Sequence, residues 1–393
     1  MSGFSSDLGR TSPIHAENYP TVRLVGRLLR MSSIADTDLL SGPVDEVFRV
    51  LDERGEPIVP GVLPTADELL TGYRALVLAR RLNEQASALV RQGALAVYPS
   101  SRGQEASQVA CASVLAEQDW LFPTYRDTAA IAARGVDPVE VLTMLRGDWH
   151  CGYDPVETRV APQATPLATQ LLHAVGVGHA ARFKGEDTVV MALCGDGATS
   201  EGDFHEACNF AAVFRAPVVF FVQNNKYAIS VPLARQSVAP SLAAKAVGYG
   251  MPGVRVDGND LPAVMAVLRA AVRRARAGEG PVLVEADTYR MDPHTNADDA
   301  SRYRSDDEVS DWERRDPLTR LRDHLVGTGA LDEVREAEIA EAAEEMAARV
   351  RSGVSAESEV DPDELFAHVY ATPTPQLREQ HALLRAELDG QEA

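Results

Sequence analysis

Short apolar runs alternate with amphipathic stretches between residues 100 and 290 of the chain. The apolar runs cover 188–193, 218–222 and 282–285. Runs that are apolar on both faces suit strands of a parallel sheet that is covered by helices. The helices predicted from apolar side chains at helical spacing cover 104–117, 137–146, 167–183, 203–215 and 261–278. The pattern therefore predicts an α/β fold with a doubly wound, mostly parallel sheet flanked by helices.

The two ends of the chain differ from this middle part. Pro, Gly, Ser and Asp are scattered through residues 1–60, so we predict a partly extended N-terminal arm with a short strand and turn near 47–55. A capping box of Thr65 and Glu68 predicts the start of a long helix. Residues 61–393 are predicted to form a single α/β domain, with charged helices from about residue 316 and a polar surface loop over 295–310.

Composition and charge narrow the class of protein. Lys and Arg number 38 against 58 Asp and Glu, and the resulting net charge of −20 would repel both nucleic acid and an anionic membrane. The chain has no apolar run of 18 residues and no apolar segment near its start, so we expect a cytoplasmic protein without a membrane partner. Its four cysteines are widely spaced and lack a C-x-x-C pair, which predicts reduced thiols.

Polar residues follow two of the predicted strands. Asp196 lies in Gly195-Asp196-Gly197 after the first strand, and Asn225 follows the second strand about thirty residues later. Ligands of parallel sheets bind at the carboxyl ends of the strands. Mg²⁺ prefers oxygen ligands and shares them with phosphate, so these two side chains and the Tyr227 carbonyl predict a diphosphate–Mg²⁺ site. The glycines let the backbone approach the diphosphate closely.

This GDG…NN spacing is the thiamine-diphosphate fingerprint, and other blocks extend the resemblance. The blocks are 103–106 (GQEA), 122–127 (FPTYRD), 166–170 (PLATQ), 195–225, 256–260 (VDGND) and 293–295 (PHT). In this order they resemble the alpha subunit of the thiamine-dependent component of 2-oxo acid dehydrogenase complexes, from about Leu63 to Tyr303. The resemblance implies a thiamine-diphosphate-binding fold, thiamine diphosphate and Mg²⁺ as cofactors, a beta subunit in an α2β2 heterotetramer, and a lipoyl-bearing acyltransferase core as a partner.

The resemblance also implies roles for individual residues. Asp196, Asn225 and Tyr227 match the Mg²⁺ ligands, and His294 matches a catalytic histidine beside the substrate channel. The expected cofactor contacts are Thr124, Tyr125, Arg126, Thr165, Leu167, Gly195, Asp196, Gly197, Ala198, Asn225, Tyr227, Ile229 and His294. Some relatives hold K⁺ on the loop whose candidate ligands here are Ala164, Pro166, Thr169 and Gln170; a loop without an ion is the alternative. Gln223 stands where some relatives carry an arginine toward the diphosphate.

The implied activity is thiamine-dependent oxidative decarboxylation of a 2-oxo acid, with acyl transfer to lipoyl groups. The segment 161–170 (APQATPLATQ) resembles the branched-chain subfamily, which favours branched-chain substrates such as 3-methyl-2-oxobutanoate. A pyruvate dehydrogenase alpha subunit is the alternative, followed by an acetoin dehydrogenase alpha subunit. A non-catalytic interaction subunit would be expected to lack Asp196, Asn225, Arg126 or His294, and all four are present.

Overall fold

A six-stranded parallel sheet forms the centre of the structure, a computed structural model that describes residues 35–148, 150–356 and 361–391. Residues 1–34 of the predicted arm lie outside the described residues. The sheet has the order β1-β7-β8-β4-β3-β2, and β5 and β6 form a separate antiparallel pair. The strands are β1 (Val47–Phe48), β2 (Trp120–Phe122), β3 (Val190–Gly195), β4 (Val218–Asn224), β5 (Tyr227–Ala228), β6 (Val231–Pro232), β7 (Gly253–Asp257) and β8 (Val282–Asp287). The predicted parallel sheet is confirmed.

Helices cover the sheet, and those predicted from periodicity form within a few residues of their expected ends. The described helices are α1 (Asp36–Leu40), α2 (Ala66–Arg91), α3 (Glu105–Ser113), α4 (Thr128–Ala133), α5 (Pro138–Arg146), α6 (Pro155–Thr158), α7 (Thr169–Lys184), α8 (Gly202–Phe214), α9 (Ala246–Tyr249), α10 (Leu261–Arg276), α11 (Asp306–Glu313), α12 (Pro317–Gly327), α13 (Glu333–Val354), α14 (Glu364–Ala367) and α15 (Pro375–Gln391). None of them is long and apolar enough to cross a membrane.

Both faces of the sheet are buried. Met191 and Leu193 of β3 belong to an apolar cluster with residues of α2, α3 and α10, whereas Val190 and Ala192 belong to a second cluster with residues of α7 and α8. Successive strand residues thus face opposite sides, and each side is covered by helices. Burial of one such valine or leucine contributes about 1.5–3 kcal/mol. In β3 and β4 the residues before the carboxyl ends are all apolar.

The polar stretch 295–310 is only in part the surface loop that its composition predicts. Helix α11 begins within it at Asp306, and the Ser305 hydroxyl caps the helix by accepting from the Glu308 amide at 3.3 Å. The helix forms because Val309 and Trp312 pack against an aromatic cluster next to the sheet. Val309 lies among the charged residues of this stretch and Trp312 lies two residues beyond it, so the composition of 295–310 did not indicate a helix.

The chain divides into two compact units, the first ending at Val354 and the second beginning at Ser355. The second unit contains α14 and α15, where Asp363 accepts a hydrogen bond from Arg385 Nε at 2.8 Å. The extent of the single domain over 61–393 stays a prediction.

The segment after β1 is attached to the sheet by one buried carboxylate. β1 is an edge strand that pairs with β7, and the amides of Val50 and Leu51 then donate to Asp260 Oδ2 at 2.7 and 2.8 Å. The other oxygen of Asp260 accepts from the Ala263 amide at 3.2 Å and caps α10. Asp260 therefore satisfies three backbone donors where no solvent reaches it.

Replacing Asp260 by alanine should lower the thermal midpoint of the protein by about 5 °C or more, because each buried amide left without an acceptor costs about 1–3 kcal/mol. Differential scanning calorimetry measures this midpoint. Asp38→Ala is the matched control, since Asp38 is exposed on α1 and its side chain has no hydrogen-bond partner in the described structure. Equal midpoints for the two variants would contradict the role assigned to Asp260.

Candidate active site

A cleft opens at the edge of the sheet where β2, β3, β4 and β8 end. Because these strands are parallel, the loops that follow them converge on this edge. The predicted cofactor and metal residues that line the cleft are Thr124, Tyr125, Arg126, Ala164, Pro166, Leu167, Gln170, Gly195, Asp196, Gly197, Ala198, Asn225, Tyr227, Ile229 and His294. The structure thus gathers residues from five separate segments at one place.

Two predicted residues, Thr165 and Thr169, do not line this cleft. Thr165 is exposed, and the Thr169 hydroxyl donates to Asp203 Oδ2 at 3.3 Å. Gln170 in the same segment turns inward, where its Nε2 donates to the Leu193 carbonyl at 2.8 Å. Its Oε1 is buried and has no hydrogen-bond partner in the described structure. Gln170 Oε1, one oxygen of the predicted K⁺ ligand set, can therefore accept a hydrogen bond or bind a cation.

Asp196 follows β3 directly, and its side chain is almost completely buried. Its Oδ2 accepts from Gln236 Nε2 at 2.7 Å. Burial raises the pKa of Asp196 above its ordinary value, while the hydrogen bond from Gln236 and the charge of Lys226 act in the opposite direction. A carboxylate that has lost its hydration is a good ligand for a divalent cation, because the cation restores the favourable charge interaction.

Asn225 and Tyr227 supply neutral oxygens on the turn after β4. Asn225 Nδ2 donates to Gln104 Oε1 at 3.2 Å, which fixes the orientation of the amide, and Asn225 Oδ1 accepts from the Tyr227 amide at 3.3 Å. The Tyr227 carbonyl accepts from Arg290 Nη1 at 3.2 Å and keeps a second lone pair. Carboxylate, amide and carbonyl oxygens together form the donor set that Mg²⁺ prefers.

No group of three or more His, Cys, Asp and Glu side chains in the described parts of the chain could hold a metal ion. A metal in this cleft therefore depends on the mixed oxygen donors of Asp196, Asn225 and Tyr227.

The two glycines that flank Asp196 differ in their surroundings. A Cβ on Gly197 would lie 2.8 Å from the Cβ of Ala228, so only glycine allows the turn after β3 to approach the β5–β6 pair this closely. A Cβ on Gly195 would meet no heavy atom within 4 Å. Gly195 lines the cleft, so this open space is room that a bound anion can occupy.

Two guanidinium groups converge on His294. Arg126 is buried, its Nη1 donates to the Ser100 carbonyl at 2.8 Å, and its Nη2 lies 3.0 Å from His294 Nδ1. Arg290, also buried, places its Nη1 3.3 Å from the same nitrogen. Guanidinium groups only donate, so Nδ1 is the acceptor and the neutral imidazole carries its proton on Nε2.

The same environment sets the protonation state of His294. Burial, reinforced by the charges of Arg126 and Arg290, lowers the pKa of His294 to about 4, and only Asp298 acts in the opposite direction. Burial and the neighbouring Arg126 likewise lower the pKa of Arg290. The two guanidinium groups thus form a positive patch at His294 within a strongly acidic chain, and this patch favours an anionic ligand.

Gln223 stands where some relatives carry an arginine, and its side chain binds a neighbouring loop of the cleft. Its Nε2 donates to Asp127 Oδ1 at 2.7 Å, and Asp127 Oδ2 accepts from the Thr124 amide at 2.7 Å. Gln223 therefore positions the loop that carries Thr124 and Arg126.

Sequence reasoning missed Arg290, Gln104 and Gln236. Arg290 lies three residues beyond β8 and shortly before Pro293-His294. A basic residue in this position, just after a strand end, was the signal that could have indicated its role. Gln104 was within a recognised block but had no assigned role. Gln236 reaches Asp196 from beyond the β5–β6 pair, and its sequence neighbours carry no signal of this contact.

Comparisons with known proteins agree with these observations. The model of the dehydrogenase E1 component family matches residues 73–362. The chain is 50% identical over 316 residues to the 3-methyl-2-oxobutanoate dehydrogenase subunit alpha of Mycobacterium tuberculosis, and the matched region covers 80% of this chain and 86% of the relative. It is 40% identical over 301 residues to the pyruvate dehydrogenase E1 component subunit alpha of Staphylococcus aureus, which covers 76% of this chain and 81% of the relative. The resemblance inferred from the motifs is confirmed: the chain belongs to the dehydrogenase E1 component family.

Proposed function

We propose that this chain is the alpha subunit of the decarboxylating component of a branched-chain 2-oxo acid dehydrogenase complex. The observation that carries the proposal is the convergence of Asp196, Asn225, Arg126 and His294 in one cleft at the carboxyl edge of the sheet. The higher identity to a 3-methyl-2-oxobutanoate dehydrogenase subunit than to a pyruvate dehydrogenase subunit supports the branched-chain substrate. The reaction is oxidative decarboxylation of 3-methyl-2-oxobutanoate with transfer of the acyl group to lipoyl.

The family depends on thiamine diphosphate, and the residues of the cleft fit this cofactor together with Mg²⁺. When bound, thiamine diphosphate supplies the electron sink that decarboxylation of a 2-oxo acid requires. Asp196, Asn225 and the Tyr227 carbonyl would hold Mg²⁺ with their oxygen donors. Arg126 would bind diphosphate oxygens through its fixed fork of donors, in the open space beside Gly195.

His294 acts in this proposal as a hydrogen-bond donor through Nε2. Arg126 holds Nδ1 from one side and the Asp298 carboxylate accepts from the His294 amide at 2.8 Å, so ring and backbone are both fixed. A neutral imidazole with a fixed N–H can stabilise a developing oxyanion without first gaining a proton. Its placement at the cleft makes it the proposed catalytic residue.

Large apolar side chains at the cleft support a beta subunit as the partner. Leu167 is 43% exposed and Ile229 is 56% exposed, although both line the cleft. Exposed apolar groups beside a polar site are typical of a surface that a ligand or a partner covers. We propose that the cofactor and the beta subunit cover them in an α2β2 heterotetramer, which then delivers acyl groups to a lipoyl-bearing acyltransferase core.

A bound K⁺ is a finer part of the proposal. The unpartnered Oε1 of Gln170 supports it, with the carbonyls of Ala164 and Pro166 as further ligands. Thr169 joins them only if its hydroxyl exchanges Asp203 for the ion. A cytoplasmic location is supported by the four cysteines, all of which are free.

Activity of the chain co-produced with its beta subunit tests the proposed function. With thiamine diphosphate, Mg²⁺ and an artificial electron acceptor, kcat/KM for 3-methyl-2-oxobutanoate should exceed that for pyruvate by about tenfold or more, because extra methyl groups contribute about 1–3 kcal/mol in an apolar pocket. A preference for pyruvate would assign the chain to the pyruvate branch. Absence of turnover with either acid would contradict the proposal.

Replacing Asp196 by alanine should weaken Mg²⁺-dependent binding of thiamine diphosphate by about 100-fold or more, because the proposed site loses its one charged ligand. Isothermal titration calorimetry of the assembled enzyme measures this affinity. Glu206→Ala, which removes an exposed carboxylate from α8, should bind normally. Unchanged affinity in Asp196→Ala would contradict the metal assignment.

The His294 imidazole should titrate near pH 4 in the cofactor-free protein, far below the ordinary histidine range. The pKa is lowered because burial and the two positive charges disfavour the protonated ring. The ring is therefore neutral at every pH above the lowered pKa. Proton NMR of the histidine ring, with the signal assigned by its loss in His294→Asn, measures the titration. A midpoint near 6.5 would show that the guanidinium groups do not act on this ring.

A further inference from the structure

The turn that carries two of the proposed metal ligands is in contact with a helix outside the sheet. We call residues 225–229 the metal turn; it links β4 to the β5–β6 pair and includes Asn225 and Tyr227. Helix α11 packs against it through an aromatic cluster, in which Val309 and Trp312 contact buried Tyr227 and Tyr289. The ring of Trp312 stacks on Tyr289 with a centroid distance of 5.5 Å and an interplanar angle of 10°.

The metal turn has an unfavourable backbone and weak internal support. Lys226 and Ile229 have φ angles of 78° and 55°, in the left-handed region that a branched residue such as isoleucine rarely adopts. The side-chain hydrogen bonds that stay within the turn region are long: Lys226 N to Asn224 Oδ1 and Tyr227 N to Asn225 Oδ1 are both 3.3 Å. Such a conformation persists only when surrounding groups hold it.

Groups outside the turn hold it: Lys226 forms an ion pair with Asp287 at the end of β8, and further contacts come from two sides. Arg290 lies on one side, where its Nη2 donates to the Ile229 carbonyl at 2.7 Å and its Nη1 to the Tyr227 carbonyl. Helix α11 lies on the other side, where the Tyr227 hydroxyl donates to Glu308 Oε2 at 2.8 Å. Lys226 adds a second contact to the helix, because its Nζ lies 5.7 Å from the ring centroid of Trp312.

Tyr227 is therefore held at both ends. Its backbone carbonyl, the proposed metal ligand, is bonded to Arg290, and its hydroxyl is bonded to Glu308. The ring is buried between these two attachments, in a close-packed environment that couples the position of the hydroxyl to that of the backbone of the same residue. Asp306 and Asp307 in the same turn of α11 are exposed and make no side-chain contact with the metal turn in the described structure, so Glu308 alone in this acidic turn has the link.

We propose that helix α11 positions the metal turn, with Glu308 as a positioning residue that acts on the Tyr227 carbonyl through the Tyr227 hydroxyl. This inference rests on the proposed Mg²⁺ site and adds to it a requirement for a helix that touches neither cofactor nor substrate. It gives the aromatic cluster under α11 a function besides packing, which is to keep a strained turn in the conformation that binds metal.

The test measures the affinity of the assembled enzyme for Mg²⁺ at saturating thiamine diphosphate, by calorimetry and by tryptophan fluorescence. Glu308→Ala should raise the Kd for Mg²⁺ about tenfold, the effect expected for loss of a hydrogen bond to a charged acceptor. Tyr227→Phe removes the other partner and should have the same effect. The double variant should bind Mg²⁺ no more weakly than either single variant, because all three variants lose the same hydrogen bond.

Two controls separate positioning from general loss of structure. Glu308→Gln keeps an oxygen that accepts the Tyr227 hydroxyl, so it should bind Mg²⁺ within about threefold of the unaltered enzyme. Asp307→Ala removes a neighbouring exposed carboxylate from the same helix and should leave the Kd unchanged. If Glu308→Ala does not fold, Tyr227→Phe decides the outcome, since it removes a single oxygen atom.

Several results would overturn the proposal. They are an unchanged Kd in both single variants, multiplied effects in the double variant, and an equal loss in Asp307→Ala. In each of these cases the unaltered enzyme still binds Mg²⁺ and the proposed function stands. Absence of Mg²⁺-dependent cofactor binding in the unaltered enzyme would instead overturn the proposed function, and this inference with it.

Discussion

The burial of both faces of the parallel sheet decides where chemistry can occur in this molecule. Every apolar residue of β3 and β4 is covered by helices, so the strands themselves offer no place for a solvated polar group. Polar side chains of these two strands appear where the strands end, and parallel strands place those ends side by side. Asp196 and Asn225 are neighbours for this reason, although nearly thirty residues separate them in sequence.

The electrostatics of the cleft depend on the same arrangement. A strongly acidic chain builds a positive patch by burying Arg126 and Arg290 beside a neutral imidazole, in a cleft that the carboxylates of Asp127, Asp196 and Glu201 also line. Two guanidinium groups that share one acceptor nitrogen repel each other, and the negative charge of a diphosphate would stabilise both. Gln223 and Gln104 are neutral, so they orient the loops of the cleft without adding charge to it.

The central strands and the residues after them could be predicted from sequence because both depend on local patterns. Continuous apolar runs marked β3, β4 and β8, and the GDG and NN blocks marked the ends of two of them. Contacts made by tertiary packing could not be predicted in this way. Gln236 reaches Asp196 from forty residues further along the chain, and Glu308 reaches Tyr227 from a segment whose charges suggested a loop. In the predicted K⁺ loop Thr169 bonds to Asp203, a contact that the resemblance did not indicate, so of its two side-chain ligands only Gln170 has an oxygen without a partner in the described structure.

The attachment of β1 has a consequence for the order in which the chain is assembled. Val50 and Leu51 bind a carboxylate that lies 210 and 209 residues later in the sequence, and the sheet partner of β1 is nearly as distant. At a synthesis rate of about 5–20 residues per second, β1 leaves the ribosome roughly 10–40 s before Asp260 exists. During that interval its segment has neither a strand to pair with nor an acceptor for its amides. β1 is therefore the first strand of the sheet to be synthesised and among the last to form its hydrogen bonds. Its apolar segment must stay free of aggregation until α10 has been synthesised.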